Sequence, residues 1–304
     1  MKINPEVAKA LAENTPVVAL ESALITHGLP RPLNLEVARE LETAVREEGA
    51  TPATVAILDG VPYIGLSPAR LEALARAPNP AKVSLRDLPG VVAQKRTGGT
   101  TVAATMHLAH QAGVRVFATG GIGGVHRGHP EDVSADLFAL ASIPIVVVCA
   151  GAKAILDLDR TLEALETLGV PVVGYSTDTF PAFTSRSCGL PVPLRANTPA
   201  EVAAMAGARD ALGLRTAILV TVPIPEEAAI PWEEAQAEID AAVAEAEARG
   251  IGGRDLTPFL LSRLAERTHG RTLAANRALL VNNARVAARI AASLTTSSPH
   301  PPVT

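Results

Sequence analysis

The stretch IPIVVVCAGAKAILDLDRT, residues 143–161, sets the fold class. Residues 143–149 form a continuous apolar, β-branched run, the pattern of a strand buried on both faces. Gly151 ends the run, and the periodicity that follows predicts a helix over residues 154–168. Gly169 stands where a left-handed helix cap is expected, and Pro171 blocks any continuation. This strand–turn–helix unit recurs. Further strands are predicted over residues 17–22, 54–58, 61–66, 114–119, 172–175 and 217–222. Helices are predicted over 34–48, 68–76, 101–112, 199–212, 232–249, 258–268 and 274–292. Alternation of this kind implies parallel strands between helical layers. Asp59-Gly60 in LDGVPYIGL is a hairpin signal, which makes the sheet mixed. The expected fold is α/β, a three-layer α/β/α arrangement around a central mixed, largely parallel sheet. With no linker-like segment and no repeat, residues 1–294 read as one domain, and 295–304 as a disordered tail.

Composition narrows the partners. Of 304 residues, 48% are hydrophobic but only 3% aromatic, so the core must be built from Ala, Val, Leu and Ile. A net charge of -4 gives no general attraction to nucleic-acid polymers or anionic membranes. Cys149 and Cys188 are too few for a disulfide framework and lack metal-ligand spacing. No leader-like start and no membrane-length apolar run is visible, so a cytoplasmic location is expected.

Four segments place polar groups at probable strand ends, where open α/β sheets bind ligands. In ALESALITHGLPRP, Glu21 ends an apolar strand; it reads equally as a general acid/base or as half of a structural ion pair. His27 reads as a structural or substrate-positioning residue. In KRTGGTTVAATM, Gly98 and Gly99 predict a tight turn, and Thr100 and Thr101 a helix cap whose free N–H groups suit a phosphate. A plainly capped helix is an equal reading there. Lys82 and Arg86 of KVSLRDLP could clamp the same anion. In ATGGIGGVHRGHPEDVSADL, the glycines at 120, 121, 123 and 124 remove side chains where something approaches the backbone closely. Asp132 there could hold a hard cation such as Mg²⁺ or Mn²⁺, or the loop could carry N-capping aspartates alone. Lys153 in CAGAK, on the turn after the opening strand, reads either as an amine nucleophile toward a sugar aldehyde or as a phosphate- or carboxylate-bound lysine.

Taken in order, VALESALITHGLPRP, KVSLRDLP, GGTTVAATM, ATGGIGGVHRG, DVSADL, VVCAGAKAILD, TLGVPVVGYSTDTFPAF, PIPEE and LAANRALLVNNARVAA resemble the pseudouridine-5'-phosphate glycosidase family, which includes the indigoidine-synthase-A-like proteins. The resemblance runs from about residue 16 to residue 292. It implies reversible cleavage of the C1'–C5 bond of pseudouridine 5'-phosphate to uracil and ribose 5-phosphate, through a ring-opened lysine–ribose Schiff base. It implies formal classification as a carbon–oxygen hydro-lyase, one Mn²⁺ per subunit and a homotrimer. It matches Glu21 to the proton carrier, Lys153 to the covalent nucleophile and Asp132 to the metal position. Lys82, Val102, Ser134, Ala135, Asp136 and Asn276 match substrate contacts. A Schiff-base aldolase would use similar chemistry, and a nucleotide-binding regulatory protein would need no turnover; release of free uracil separates them. A sugar kinase is a weaker alternative, because no segment matches an ATP-phosphate loop.

Overall fold

The structure is a computed structural model and describes residues 1–251 and 256–296. Seven parallel strands form the centre of an 11-stranded sheet. Their spatial order is Thr51–Leu58, Val17–Leu20, Val116–Ala118, Val146–Cys149, Ile218–Thr221, Val172–Tyr175 and Leu194–Ala196. Val146–Cys149, from the opening stretch, lies at the middle, with Val148 opposite both Ala118 and Val220. All four of its residues are buried, as its unbroken apolar run requires. The hairpin predicted at Asp59-Gly60 is present: Thr51–Leu58 pairs antiparallel with Val61–Ile64, and both turn residues have positive φ. The mixed, largely parallel sheet is therefore as expected. Gly169 also takes its expected left-handed conformation, φ +68°, just past the helix Leu158–Thr167.

Helices cover both faces of the sheet. The 26-residue helix Arg271–Thr296 crosses the central strands and packs between Leu33–Glu47 and Pro199–Ala211. Its buried side is rich in alanine, including Ala284, Ala287, Ala288 and Ala291, which lets its backbone approach the sheet closely. A core poor in aromatics is filled in this way by small side chains at short range. The other layer contains Val102–Gln111 with Ala135–Ser142 beside it. The long helix includes Thr295 and Thr296, which the sequence places in a disordered tail; residues 297–304 of that expected tail lie outside the described ones.

Two local expectations are corrected. The helix expected over 154–168 begins only at Leu158. Leu156–Asp157 instead pairs with Val125–His126 in a separate three-stranded sheet, and the Asp157 side chain accepts from the Arg160 N–H as an N-cap. Gly98 and Gly99 do not form a turn. Gly98–Thr100 is a strand paired with Ala81–Val83 and Thr51–Leu58. These glycines are needed for proximity: a Cβ on Gly99 would lie 2.6 Å from the Ser22 carbonyl oxygen, and one on Gly98 2.6 Å from that of Ala81.

Candidate active site

Glu21 immediately follows the strand Val17–Leu20, and Lys153 follows Val146–Cys149 across the intervening Val116–Ala118 strand. Backbone hydrogen bonds join the loops after the last two strands. Ala150 N–H donates to the Gly120 carbonyl at 2.8 Å, Ile122 N–H to Gly151 at 3.1 Å, and Lys153 N–H to Ile122 at 3.1 Å. Lys153 is thereby fixed by backbone geometry at the carboxyl end of the sheet. Gly151 is required for this turn: its φ is +83°, and a Cβ there would come within 2.0 Å of the Pro181 carbonyl oxygen. No other residue fits at position 151.

Glu21, Lys82, Lys153 and Asn276 line one cavity of about 80 Å³, together with His27, Phe183, Leu261 and Leu280. Glu21 is 9% exposed. Burial raises its pKa above the usual carboxylate value; Lys153 and the Thr119 hydrogen bond oppose that rise, as Lys82 does, while Asp136 adds to it. Lys82 lies on the short strand Ala81–Val83. Its side chain is accessible as a whole, yet removal of its ammonium from water pulls its pKa down. The Lys153 charge lowers it further, against Glu21 and Asp136. His27 is likewise pushed toward its neutral form, by burial first and then by Lys82.

Asp136 has a different local task. Its Oδ1 accepts from the Ala103 N–H at 3.0 Å and its Oδ2 from the Gly123 N–H at 2.8 Å. The anion at the start of the Val102–Gln111 helix is thus the protein's own carboxylate, where a substrate phosphate was expected as one reading. Ser134 caps Ala135–Ser142, its Oγ accepting from the Asp136 N–H at 3.2 Å. The glycines of 120–124 serve these contacts: a Cβ on Gly123 would meet Ser134 Oγ at 2.2 Å, and one on Gly124 Thr161 Oγ1 at 2.4 Å. Asp136→Ala is expected to destabilise the fold by about 3 kcal/mol, because two buried N–H groups lose a charged acceptor. Chemical unfolding of the two proteins measures the difference.

The structure therefore unites Glu21, Lys82, Lys153 and Asn276, with the Asp136 charge acting on both Glu21 and Lys82. Val102, Ser134, Ala135 and Asp132 do not line that cavity. Val102 is buried, Ser134 half-buried, and Ala135 and Asp132 are exposed. Cys149 is fully buried with its thiol pKa pushed up to about 12, an inert core residue as its sequence context suggested.

A sequence model of the family described as indigoidine synthase A like protein matches residues 6–293. The chain belongs to this family. Among its curated relatives, the pseudouridine-5'-phosphate glycosidase of Paracoccus denitrificans is 56% identical, covering 97% of this chain and 98% of the relative. That of Methylobacterium nodulans is 57% identical, with 95% and 87% covered. Two solved structures share the fold. The prealnumycin C-glycosynthase AlnA, crystallised with ribulose 5-phosphate, is 41% identical with TM-score 0.89, and 96% of each chain is covered. An indigoidine synthase A-like protein from Thermotoga maritima is 40% identical with TM-score 0.87, covering 93% of this chain and 94% of that one.

In this indigoidine synthase A like chain, two site residues carry no signal in isolated motifs. Thr119 donates its Oγ1 hydrogen to Glu21 Oε1, and its carbonyl accepts from Asn283 Nδ2 at 2.9 Å. Asn283 is 1% exposed on the long helix, so the Thr119 backbone that carries this hydroxyl is tied to that helix. Phe183 holds a left-handed backbone, φ +61°, uncommon for a bulky residue. Its N–H donates to the Ala150 carbonyl at 2.9 Å, and its ring lies where a Cβ on Gly121 would stand, 2.8 Å away.

Proposed function

We propose that the chain is a pseudouridine-5'-phosphate glycosidase, acting reversibly through a Schiff base on Lys153. The observation that carries this reading is the placement of Glu21, Lys153, Lys82 and Asn276 on one cavity. The curated relatives so named, 56–57% identical over nearly the whole chain, support the substrate. Ribulose 5-phosphate in the AlnA crystal supports a five-carbon sugar phosphate.

The C1'–C5 bond joins two carbons, so protonating a heteroatom leaving group is not available. The C1'–O4' bond breaks as uracil N1 loses its proton to O4' and its electrons, passed through C6 and C5, form a C5=C1' double bond; the Lys153 amine then adds to C1' and one of its protons returns to N1. Glu21 delivers its proton to uracil C5 as the C1'–C5 bond breaks, and the nitrogen lone pair fills the vacancy at C1' as a Schiff base. Water then hydrolyses the Schiff base to ribose 5-phosphate and free amine. The product pair favours formal naming as a hydro-lyase read in reverse. Lys82 supplies positive charge to the phosphate end, and Asn276 donates or accepts beside Lys153.

Among the described residues, no group of three or more His, Cys, Asp or Glu side chains converges on a metal-sized site. Asp132 and His126 do interact, Asp132 opposing the fall in the His126 pKa that burial causes. One exposed carboxylate fits a hard cation that keeps most of its water, as Mn²⁺ and Mg²⁺ do. Such an ion, held through Asp132, would neutralise substrate oxygens. No helix among the described residues is long and apolar enough to cross a membrane. The location that goes with this reading is the cytoplasm. A homotrimer, the assembly of the resembled family, completes the reading; light scattering should give three times the mass of one chain.

Incubation with pseudouridine 5'-phosphate and Mn²⁺, followed by chromatography, should release uracil and ribose 5-phosphate in equal amounts. Absence of uracil from folded, metal-loaded protein overturns the assignment. EDTA should suppress the release and added Mn²⁺ restore it, whereas Asp132→Ala should not respond to Mn²⁺. Thr119→Val should lower kcat about 10- to 100-fold with KM little changed, since Glu21 loses its orienting donor. Thr119→Ser should restore most of it.

A further inference from the structure

Lys153 is held from two sides. Before it, residues 150–153 are bonded through their backbone to the loop at Gly120 and Ile122. After it, the Leu156 N–H donates to the Lys153 carbonyl at 3.0 Å and closes a turn. Two further carbonyls of that turn are taken by a single side chain. Arg127 donates from Nη2 to the Ala154 carbonyl at 3.0 Å and from Nε to the Leu156 carbonyl at 3.0 Å.

The same guanidinium reaches the helix Trp232–Ala248. Its Nη2 donates to Gln236 Oε1 at 3.2 Å and its Nη1 to Asp240 Oδ1 at 3.1 Å. Gln236 Nε2 donates in turn to Asp240 Oδ1 at 2.6 Å, which joins the two acceptors into one unit. Residues four apart share a helix face, so both partners present themselves to Arg127 together. Another flank of that helix faces the nucleophile: Ala235 and Ile239 line, with Lys153, a cavity of about 320 Å³. Arg127 lines neither this cavity nor the small one, so its influence on the reaction passes through the turn. Only arginine suits the position. Its planar fork meets two carbonyls, an amide oxygen and a carboxylate at once, whereas a lysine ammonium is a single point. The Arg127 side chain is 23% exposed, and a charge withdrawn this far from water must keep its N–H groups matched.

We infer that Arg127 is a positioning residue for Lys153, tying the turn that follows the nucleophile to the helix Trp232–Ala248 so that the amine keeps one place relative to Glu21. The inference rests on the Schiff-base reading above. Addition to C1' tolerates little error, since a misplacement of about 1 Å costs on the order of 10²-fold in rate. Cutting the clamp frees the lysine turn and leaves Lys82 and Asn276 where they are. The loss therefore falls on the chemical step.

The test compares the full-length protein with Arg127→Ala, Arg127→Lys and Asp240→Ala. Arg127→Ala should lower kcat for uracil release about 30-fold while KM stays within about threefold of the parent. Borohydride capture of ribose phosphate on Lys153, timed over a single turnover, should slow by the same factor. Millimolar guanidinium chloride should restore part of both rates and ammonium chloride neither, because only the planar ion bridges the separate acceptors. Arg127→Lys should retain most of the loss. Asp240→Ala, at an exposed position, should lower kcat about threefold and add nothing further in the Arg127→Ala protein. A lower Tm with kcat unchanged in the folded variants makes Arg127 a structural tie alone and overturns the inference. So does a loss carried by KM with capture on Lys153 as fast as in the parent. If Arg127→Ala does not fold, Asp240→Ala decides, and an unchanged kcat there overturns the inference. Parent protein that releases no uracil fails at the underlying reaction, and the inference falls with it.

Discussion

Lys153→Ala lowers uracil release by on the order of 10⁴-fold or more, because it removes the atom that bonds to C1' on the proposed path. The loss falls on kcat: Lys82, Asn276 and the glycine loops that line the cavity remain in place. Borohydride added during turnover of the parent protein reduces the Schiff base and leaves the ribose phosphate chain on one lysine, readable by peptide mass. Two amines stand on the same cavity, so the position of that mass decides the mechanism. Lys82 has its pKa lowered by removal of its ammonium from water and by Lys153, which favours a free amine there too. Geometry separates them. Lys153 is half-buried on a turn fixed by the Gly151 conformation and the Ile122 carbonyl, whereas Lys82 is exposed on a short strand. A nucleophile must hold one position relative to C1', and a phosphate partner need not. The expected adduct is on Lys153, with Lys82→Ala raising KM. An adduct on Lys82 would exchange the two roles.

Much of this arrangement is legible without coordinates because it follows from pattern. Unbroken apolar runs must be buried on both faces, which sets the parallel sheet, and the ends of such runs are where Glu21 and Lys153 stand out. What escapes the sequence depends on tertiary partners. Gly98 and Gly99 look like a turn, yet a tight approach to Ser22 and Ala81 explains them as well, and only the fold decides. Residues 154–157 fit helical spacing, but Val125–His126 offers them a strand partner, and Asp157 is worth more as a cap. The structural task of Asp136 also depends on tertiary partners: its two oxygens accept from the amides of Ala103 and Gly123. Thr119 was beyond reach for the same reason: its hydroxyl matters only because Glu21, 98 residues away, comes beside it. Phe183 gives no hint of its left-handed backbone, since nothing in its neighbours favours that conformation.

Glu21→Gln should cut turnover by roughly 10²- to 10⁴-fold, the range for loss of a positioned proton carrier, and should at the same time raise thermal stability. Both effects have one cause. Burial lifts the Glu21 pKa above that of a free glutamate, with Lys153 and Thr119 only opposing the rise. The folded state therefore holds its proton to higher pH than the unfolded chain does. A raised acid pKa means the folded state is favoured fully below the unfolded value, and that advantage is lost as pH rises through the folded one. Glutamine carries no such titration, so its gain in Tm over the parent should be largest at neutral and higher pH. It should shrink toward nothing below the free-glutamate range, near pH 4. Activity carries the matching signature. If the protonated carboxyl delivers the proton to C5, kcat in the parent should fall along a limb lying above the ordinary carboxylate range. Glu21→Gln should abolish that limb. Thr119→Val, which removes a hydrogen bond that favours the charged form, should move the limb to higher pH. A parent profile that is flat through this range, together with an unchanged Tm in Glu21→Gln, would mean that the buried carboxylate is a structural ion-pair member and that the proton comes from elsewhere.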